Sequence, residues 1–349
     1  MKVAIVGLGV SGSYLAALLS QTSEHTVHGF DLLEKPDTKC AWGGSKYELR
    51  RLLNAVDVDF DELILFEGSK MDVVFEDGES FTVNLKGLTT FDKNLLEERI
   101  AESALRHGAV LKRGRKVFLD ELTAYDVVVD ATGVYRSLLP RIAGDMIFPN
   151  LEYRVHYSSS PPFQDFAVFP YSGLGGYGWF FPLGEHEAHV GGGDRFHRQR
   201  HYVDGFMAKH GGKIIRTIGR PVRMVPPSMA QPISFTRNGL QVVGVGESIG
   251  AVFPLLGEGI IPGLQSAELL RQVFGDRGVD VQEYTRLLDR KFFYFEPVFK
   301  AILAKWSGEW STLRSAPWLL PTLVRLSRME KRFGFRLSLS QLLELFEKT

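Results

Sequence analysis

Near the start of the chain the run Lys2-Val3-Ala4-Ile5-Val6 gives way to Gly7-Leu8-Gly9-Val10-Ser11-Gly12, and this junction restricts the fold more than any other feature. The apolar run is too short for a buried helix and rich enough in valine and isoleucine for a central parallel strand. Tyr14 to Leu19 then reads as helix, and His25 to Phe30 as a second strand ending in Asp31. Strand, glycine turn, helix, strand and acid in that order predict a βαβ unit that binds a dinucleotide; the bland alternative is a glycine-rich turn without a ligand. Gly7 permits the tight turn, Gly9 lets the backbone approach a pyrophosphate, and Gly12 allows close helix packing. The helix N-terminus offers N–H groups to the phosphates, and Asp31 accepts from ribose hydroxyls. The same glycine spacing recurs from Gly173 to Gly178, but Trp179-Phe180-Phe181-Pro182 follows it. That is an aromatic strand rather than a helix, so no helix dipole faces a phosphate there. One credible loop leaves NAD alone or FAD alone.

Lys+Arg and Asp+Glu each number 41, giving a formal charge of +0, which removes the electrostatic argument for nucleic acid as a partner. With 44% apolar and 23% charged residues the chain is an ordinary globular one, neither disordered nor collagenous nor a coiled coil. Its 349 residues suffice for one large or two modest domains, at about 150 residues each. The single cysteine, Cys40, excludes an internal disulfide, a multi-cysteine zinc site and a dithiol electron relay. The N-terminus has no cleavage site of the signal-peptide kind, and no run of about 18 apolar residues predicts a spanning helix. A cytoplasmic location is expected.

Asp92 is placed to cap a helix over Lys93 to His107, with Leu96, Ile100 and Ala104 on one face and Gly108 as its stop. Ala109 to Leu111 and Lys116 to Leu119 read as short strands. Tyr125 to Gly133 reads as a buried strand ending in a small-residue turn where a cofactor lies close. From 151 to 225, short aromatic and alternating strands between Gly, Pro and Ser clusters suggest an inserted antiparallel sheet. Gly239 to Glu247 returns to the parallel pattern, and Pro254 to Ile260 leads into a helix over about Ile261 to Phe274. The expected architecture is α/β. A discontinuous Rossmann-like domain (1–150 and 226–280) carries an inserted antiparallel-sheet substrate domain (151–225), and a helical region (281–349) follows.

GLGVSG, the strand-end DATG at 130–133 and GVGESIGAVFPLLGEGI at 244–260 resemble the three cofactor fingerprints of flavoproteins with the hydroxylase-type FAD fold. Within that group, Tyr177-Gly178-Trp179-Phe180-Phe181-Pro182 followed by Val190-Gly191-Gly192-Gly193 resembles a signature of the geranylgeranyl reductase family. Lys39-Cys40-Ala41-Trp42-Gly43-Gly44 resembles its cysteine-bearing loop beside the flavin, and the match spans residues 1–275. The resemblance implies FAD held by Gly7, Gly9, Ser11, Gly12, Asp31, Ala41, Gly43, Gly133, Gly246, Glu247, Pro254, Gly257, Gly259 and Ile260. It also implies an FAD-dependent reductase that hydrogenates C=C bonds of an isoprenoid (geranylgeranyl) chain on a lipid or quinone. Its external electron donor is NADPH or reduced ferredoxin. Two positions depart from the pattern: Glu247 stands where the family has Asp, and no arginine stands near Leu88. The longer side chain of Glu247 must reach the flavin ribityl hydroxyls from a shifted backbone or through water. The alternatives are a monooxygenase or halogenase of the same fold, or a flavoprotein without turnover. Thr132-Gly133 replaces the hydroxylase DG, and no halogenase WxWxIP motif is present.

Cys40, Tyr177 and Trp179 are the candidate catalytic residues. Tyr177, Trp179 and Phe181 share one face of a strand, which either walls an apolar cavity or packs the sheet onto the core. Cys40 is a proton donor or wall near the flavin on this resemblance, against the inert role of most lone cysteines. The resemblance further implies that the helix beginning near Gly259 points its N-terminus at the flavin N1 and C2 carbonyl, where negative charge grows on reduction. Glu258 at that turn opposes such charge and receives no catalytic role. His186, His189, His197 and His201 lack the spacing or the third ligand of a metal site. From Arg314 to Arg336 stand the basic residues Arg314, Arg325, Arg328, Lys331, Arg332 and Arg336 against Glu330, interleaved with Leu319, Leu320, Leu323, Val324, Leu326, Met329 and Phe333. Ser338 to Gln341 forms a capping box beyond them. This segment is either a helix on an anionic membrane surface, at the inner face of the cell membrane, or a solvated face packed on the domain.

Overall fold

The computed structural model describes residues 1–37, 40–276 and 278–349, apart from the side chains of 312–316. Lys39, and the side chain of Arg314, therefore lie outside the described residues.

Lys2–Val6 is a central strand, and Val3, Ala4 and Ile5 have no exposed surface. It pairs in parallel with Thr26–Phe30 on one side and Val127–Asp130 on the other. Val110–Lys112 extends the sheet in parallel beyond Thr26–Phe30, and Leu240–Gly244 does so beyond Val127–Asp130. Ser234–Arg237 closes the latter edge as an antiparallel strand, making six strands. Such strands are buried on both faces, which is why they read as unbroken valine runs. Helices Val10–Ser20, Lys93–Arg106 and Ile260–Gln272 pack together against this sheet. The Asp92 carboxylate caps the second of them by accepting from Leu95 N at 3.0 Å.

The strand expected at Lys116 to Leu119 does not form. A single 3-10 turn stands at Leu119–Glu121, and Glu121 Oε1 takes the Phe118 N–H at 2.8 Å, a donor that a ladder would need.

The second sheet has seven strands, in the order Lys213–Ile218, Asn150–His156, Glu187–Asp194, Gly176–Pro182, Phe166–Pro170, Lys70–Val74 and Ser80–Asn84. Its last two strands come from far earlier in the chain. They form a hairpin at Asp77-Gly78 and join Phe166–Pro170 in parallel, with Phe166 opposite Met71. One face carries Leu151, Val155, Phe180 and Val190, which pack against Val203 of the helix Gln199–His210. The opposite face presents Glu152, Tyr177, Trp179 and Phe181 toward the first sheet. A small third sheet joins Gly43–Ser45, Leu88–Phe91 and Ile64–Glu67, and Thr90 Oγ1 ties it to the second sheet by donating to Pro182 O at 2.5 Å.

The C-terminal helices are Val281–Lys291, Phe295–Trp306, Thr312–Leu326, Glu330–Phe333 and Leu339–Lys348. Leu319, Leu323 and Leu326 are buried in the main core. Ser338 caps the last helix by accepting from Gln341 N at 3.2 Å, while Gln341 Oε1 accepts from Ser338 N at 2.9 Å. A bridge between Leu85 and Phe335 fastens this region to the second sheet. Among the described residues, no helix is long and apolar enough to cross a membrane.

Candidate functional site

The three glycine-bearing segments meet at the carboxyl ends of the parallel strands, the edge at which α/β sheets bind ligands. Gly7 has φ +98°, and a Cβ there would fall 2.3 Å from Ala131 O, inside the DATG turn. On the far side of the loop, a Cβ on Gly246 or on Gly263 would come within 2.4 Å of Ser11 Oγ. The helix Val10–Ser20 starts at Gly9 with no side-chain cap, so its first N–H groups are left for a ligand. Asp31 tightens the loop: Oδ2 accepts from Leu8 N at 2.6 Å and Oδ1 from Leu33 N at 2.7 Å. Each oxygen keeps further acceptor capacity.

From this loop a cavity of 380 Å³ runs between the two sheets toward the C-terminal helices. Ser11, Ala41, Gly43, Gly133, Glu247, Pro254, Gly257, Gly259 and Ile260 line it, as do Cys40, Tyr177 and Trp179. Gly7, Gly9, Gly12, Asp31 and Gly246 are not in its wall. The first four form the adjoining loop and strand end, and Gly246 packs against Ser11.

Glu247 is already engaged. Its Oε2 accepts from Arg220 Nη2 at 3.0 Å and its Oε1 from Arg223 N at 2.9 Å. Leu88, where an arginine was expected, contributes an apolar side chain to the cavity. The cations that do line the wall are Lys93, Arg220 and Arg332. Lys93 is buried with its Nζ 2.7 Å from Glu97 Oε1, and a Cβ on Gly9 would lie 3.8 Å from that same oxygen. The Lys93–Glu97 ion pair therefore sits behind the glycine loop. Sequence reading missed Lys93 and Arg220, although Lys93 stands directly after the helix cap.

The aromatic face carries one polar group. Glu152, Gly191 and Trp179 stand opposite one another on three neighbouring strands. Because Gly191 has no side chain, the Trp179 ring lies against it: a Cβ there would be 2.4 Å from Trp179 Cζ2. The indole Nε1–H thereby reaches Glu152 Oε2 at 3.1 Å. Glu152 Oε1 stands 2.9 Å from Nδ1 of the fully buried His189, whose Nε2 has no partner. The Trp42 ring packs 4.8 Å from that imidazole. His189 thus supports the cavity wall from within the sheet, whereas the His186 ring lies beside His156 at 6.2 Å.

Tyr177 donates its hydroxyl to Leu256 O at 2.5 Å, which fixes the ring against the turn before the helix Ile260–Gln272. Burial pushes its phenol well above the ordinary range, with Cys40 and Glu258 adding to the shift. Burial likewise pushes the Cys40 thiol up, against the opposing charge of Lys93. Both groups keep their protons at neutral pH.

Arg332 departs from the surface role read for the basic C-terminal segment. It is 7% exposed, lines the cavity, and places Nη2 2.7 Å from Glu258 Oε2. Arg325, Arg328, Lys331 and Arg336 are exposed as expected. Among the described residues, the buried polar atoms of the wall without hydrogen-bond partners are Glu152 Oε1, Arg220 Nε, Glu258 Oε1, and Arg332 Nε and Nη1. The three cations are balanced by Glu152, Glu247 and Glu258 in the same wall, so it is the two uncapped helix N-termini that suit a phosphate-bearing occupant, and the unpaired donors of Arg220 and Arg332 suit a polar ring.

No protein-family model matches the chain. An uncharacterised protein of Methanocaldococcus jannaschii is 23% identical over 343 residues, 86% of this chain and 91% of that protein. Digeranylgeranylglycerophospholipid reductase of Picrophilus torridus is 25% identical over 197 residues, 54% of this chain and 48% of the reductase. Among solved structures, a geranylgeranyl bacteriochlorophyll reductase-like protein from Thermoplasma acidophilum superposes with a TM-score of 0.72 at 20% identity. It covers 99% of this chain and 96% of its own. A flavin-dependent halogenase from a Brevundimonas species matches with a TM-score of 0.65 at 14% identity over 99% and 89%. The fold is the one these flavoproteins share, and the likeness to geranylgeranyl reductases read from the motifs recurs in both kinds of comparison.

Proposed function

We propose that the protein is an FAD-dependent oxidoreductase, and specifically a reductase that adds hydrogen across carbon–carbon double bonds of an isoprenoid lipid or quinone. The observation that carries this reading is one cavity that begins at the glycine loop and continues along the Tyr177, Trp179 and Phe181 face. It sets a cofactor site directly beside an apolar, aromatic chamber. The resemblance to geranylgeranyl reductases supports both halves.

A bound flavin, once reduced, supplies two electrons as a hydride. The chain's own residues do the rest. The first-turn N–H groups after Gly9, with Gly7, Ser11 and Gly12 shaping the loop and Lys93 behind it, hold the pyrophosphate. Asp31 keeps acceptor capacity for a ribose. Ala41, Gly43, Gly133, Pro254, Gly257, Gly259 and Ile260 line the flavin's path, with Gly246 setting the approach of Ser11. Glu247 acts through Arg220, whose Nε is unpaired, rather than by reaching ribityl hydroxyls itself. Tyr177 and Trp179 position the isoprenoid chain and exclude water. Cys40, a thiol that keeps its proton, stands at the cofactor end as a proton-bearing wall residue.

The electron donor is external, a nicotinamide or a reduced ferredoxin, since a single dinucleotide loop is present. A lipid substrate suits docking on an anionic membrane through Arg325, Arg328, Lys331 and Arg336, beside the exposed Trp318 and Leu320.

The test is anaerobic. The flavoprotein is reduced with dithionite and mixed with geranylgeranylated lipid while the flavin absorbance is followed. Reoxidation with two hydrogens gained by the lipid in mass spectrometry supports the reading. A flavin that stays reduced until oxygen is admitted indicates the monooxygenase, halogenase or non-catalytic alternative, and absence of bound flavin overturns the fingerprint reading.

A further inference from the structure

Glu258 precedes the helix Ile260–Gln272 by two residues, and its carboxylate would oppose the positive end of that helix. The structure supplies a counter-charge from a distant segment. Arg332 lies on the four-residue helix Glu330–Phe333, which Ser45 Oγ grips by donating to Lys331 O at 2.6 Å. The guanidinium lies 5.0 Å from the centroid of the Phe333 ring and bonds Glu258 through Nη2 alone. Tyr294 stands alongside. Burial weakens the charge on Arg332, but Glu258 and Tyr294 more than restore it, so the guanidinium stays ionised. Apart from the neighbouring Tyr294 hydroxyl, Arg332 Nε and Nη1 have no hydrogen-bond partner among the described residues, nor does Glu258 Oε1, and both side chains line the cavity. An ion pair that fails to saturate either member in a buried wall is costly unless a ligand completes it.

Resting on the flavin reading of the site, but not on the isoprenoid reading, we infer that Arg332 is the cation that accommodates the negative charge a flavin acquires on reduction. Glu258 trims that effect. The pair is a potential-setting device: the helix start at Gly259 and Arg332 favour the reduced, more negative state, and Glu258 opposes it.

The experiment measures the equilibrium between bound flavin and a reference dye during anaerobic reduction, using the flavin-loaded full chain. The proteins are wild type, Arg332→Met, Arg332→Lys, Glu258→Gln and the Arg332→Met/Glu258→Gln double variant. Arg332→Met is expected to lower the two-electron reduction equilibrium constant about tenfold, equivalent to ~30 mV. Glu258→Gln should raise it by a similar factor, Arg332→Lys should fall between wild type and Arg332→Met, and the double variant should return close to wild type. Opposite shifts that cancel are not produced by general disturbance of the fold. Constants within about twofold of wild type in both single variants, or shifts of the same sign, overturn the inference. Where Arg332→Met does not fold, Glu258→Gln and Arg332→Lys decide by the same criteria. A wild-type chain that binds no flavin defeats the cofactor reading and this inference together. A chain that holds flavin but reduces no lipid defeats only the substrate assignment, and the redox shifts still decide the role of Arg332.

Discussion

Trp179 donates its indole N–H to Glu152 across the bare backbone of Gly191, at 3.1 Å, and so ties the aromatic face of the cavity to its buried carboxylate. Three neighbouring strands contribute one residue each, and the register makes the contact without any loop.

Gly191→Ala places a methyl group 2.4 Å from Trp179 Cζ2. Repacking the indole should cost about 1–3 kcal/mol, as overpacking of close-packed interiors does. Urea unfolding should show a lower midpoint at unchanged slope; an unchanged midpoint would mean that the ring is not held against the strand.

Trp179→Phe keeps the aromatic body and removes the donor to Glu152. Leaving that buried oxygen unpaired should destabilise the fold by about 1–3 kcal/mol. Combined with Glu152→Leu, which removes the acceptor, the loss should be smaller than the sum of the single losses, with a coupling of roughly 0.5–3 kcal/mol. Strict additivity in the double-mutant cycle would disprove the contact.

Burial holds the Cys40 thiol above its ordinary range, so little of it is thiolate at neutral pH, and the thiolate is the nucleophile. Alkylation by iodoacetamide at pH 7.5 should be much slower in the native protein than in urea, and should accelerate as the pH rises above the ordinary thiol value. Rapid native alkylation at pH 7.5 would contradict the raised value.

Asp92→Ala removes the acceptor for Leu95 N at the start of the helix Lys93–Arg106. A loss of about 1 kcal/mol is expected from thermal or denaturant unfolding. A loss well under 0.5 kcal/mol would show that water replaces the cap at no cost.

The exposed Arg325, Arg328, Lys331 and Arg336 predict flotation with anionic vesicles at low salt. Release should follow at ionic strengths well above 0.15 M, where the Debye length drops below about 8 Å. Flotation that ignores salt, or fails on anionic vesicles, removes the electrostatic docking surface.

The glycine loop was legible because each neighbour of the motif arrives in order: strand, helix, second strand, Asp31. Asp92 and Ser338 were legible for the same local reason, since a cap reads off a few consecutive residues. Glu152 was not. In Asn150–His156 it alternates like any solvent-facing residue, and only cross-strand register with Gly191 and Trp179 turns it into part of a wall. Arg332 was misread because the carboxylate that holds it buried, Glu258, stands 74 residues earlier in the chain. The hairpin at 70–84 had a local signal, Asp77-Gly78 between alternating runs. Its parallel attachment to Phe166–Pro170 had none, because pairing across about ninety residues leaves no periodic trace.

Trp179 and Trp306 line the cavity, and Trp42 packs against His189, which stands beside the wall residue Glu152, so three of the five tryptophans lie at or next to the same space. An occupant that absorbs near-ultraviolet light there would drain their emission by resonance transfer. The protein therefore carries its own optical reporter: occupancy can be titrated from intrinsic fluorescence, with no label and no turnover.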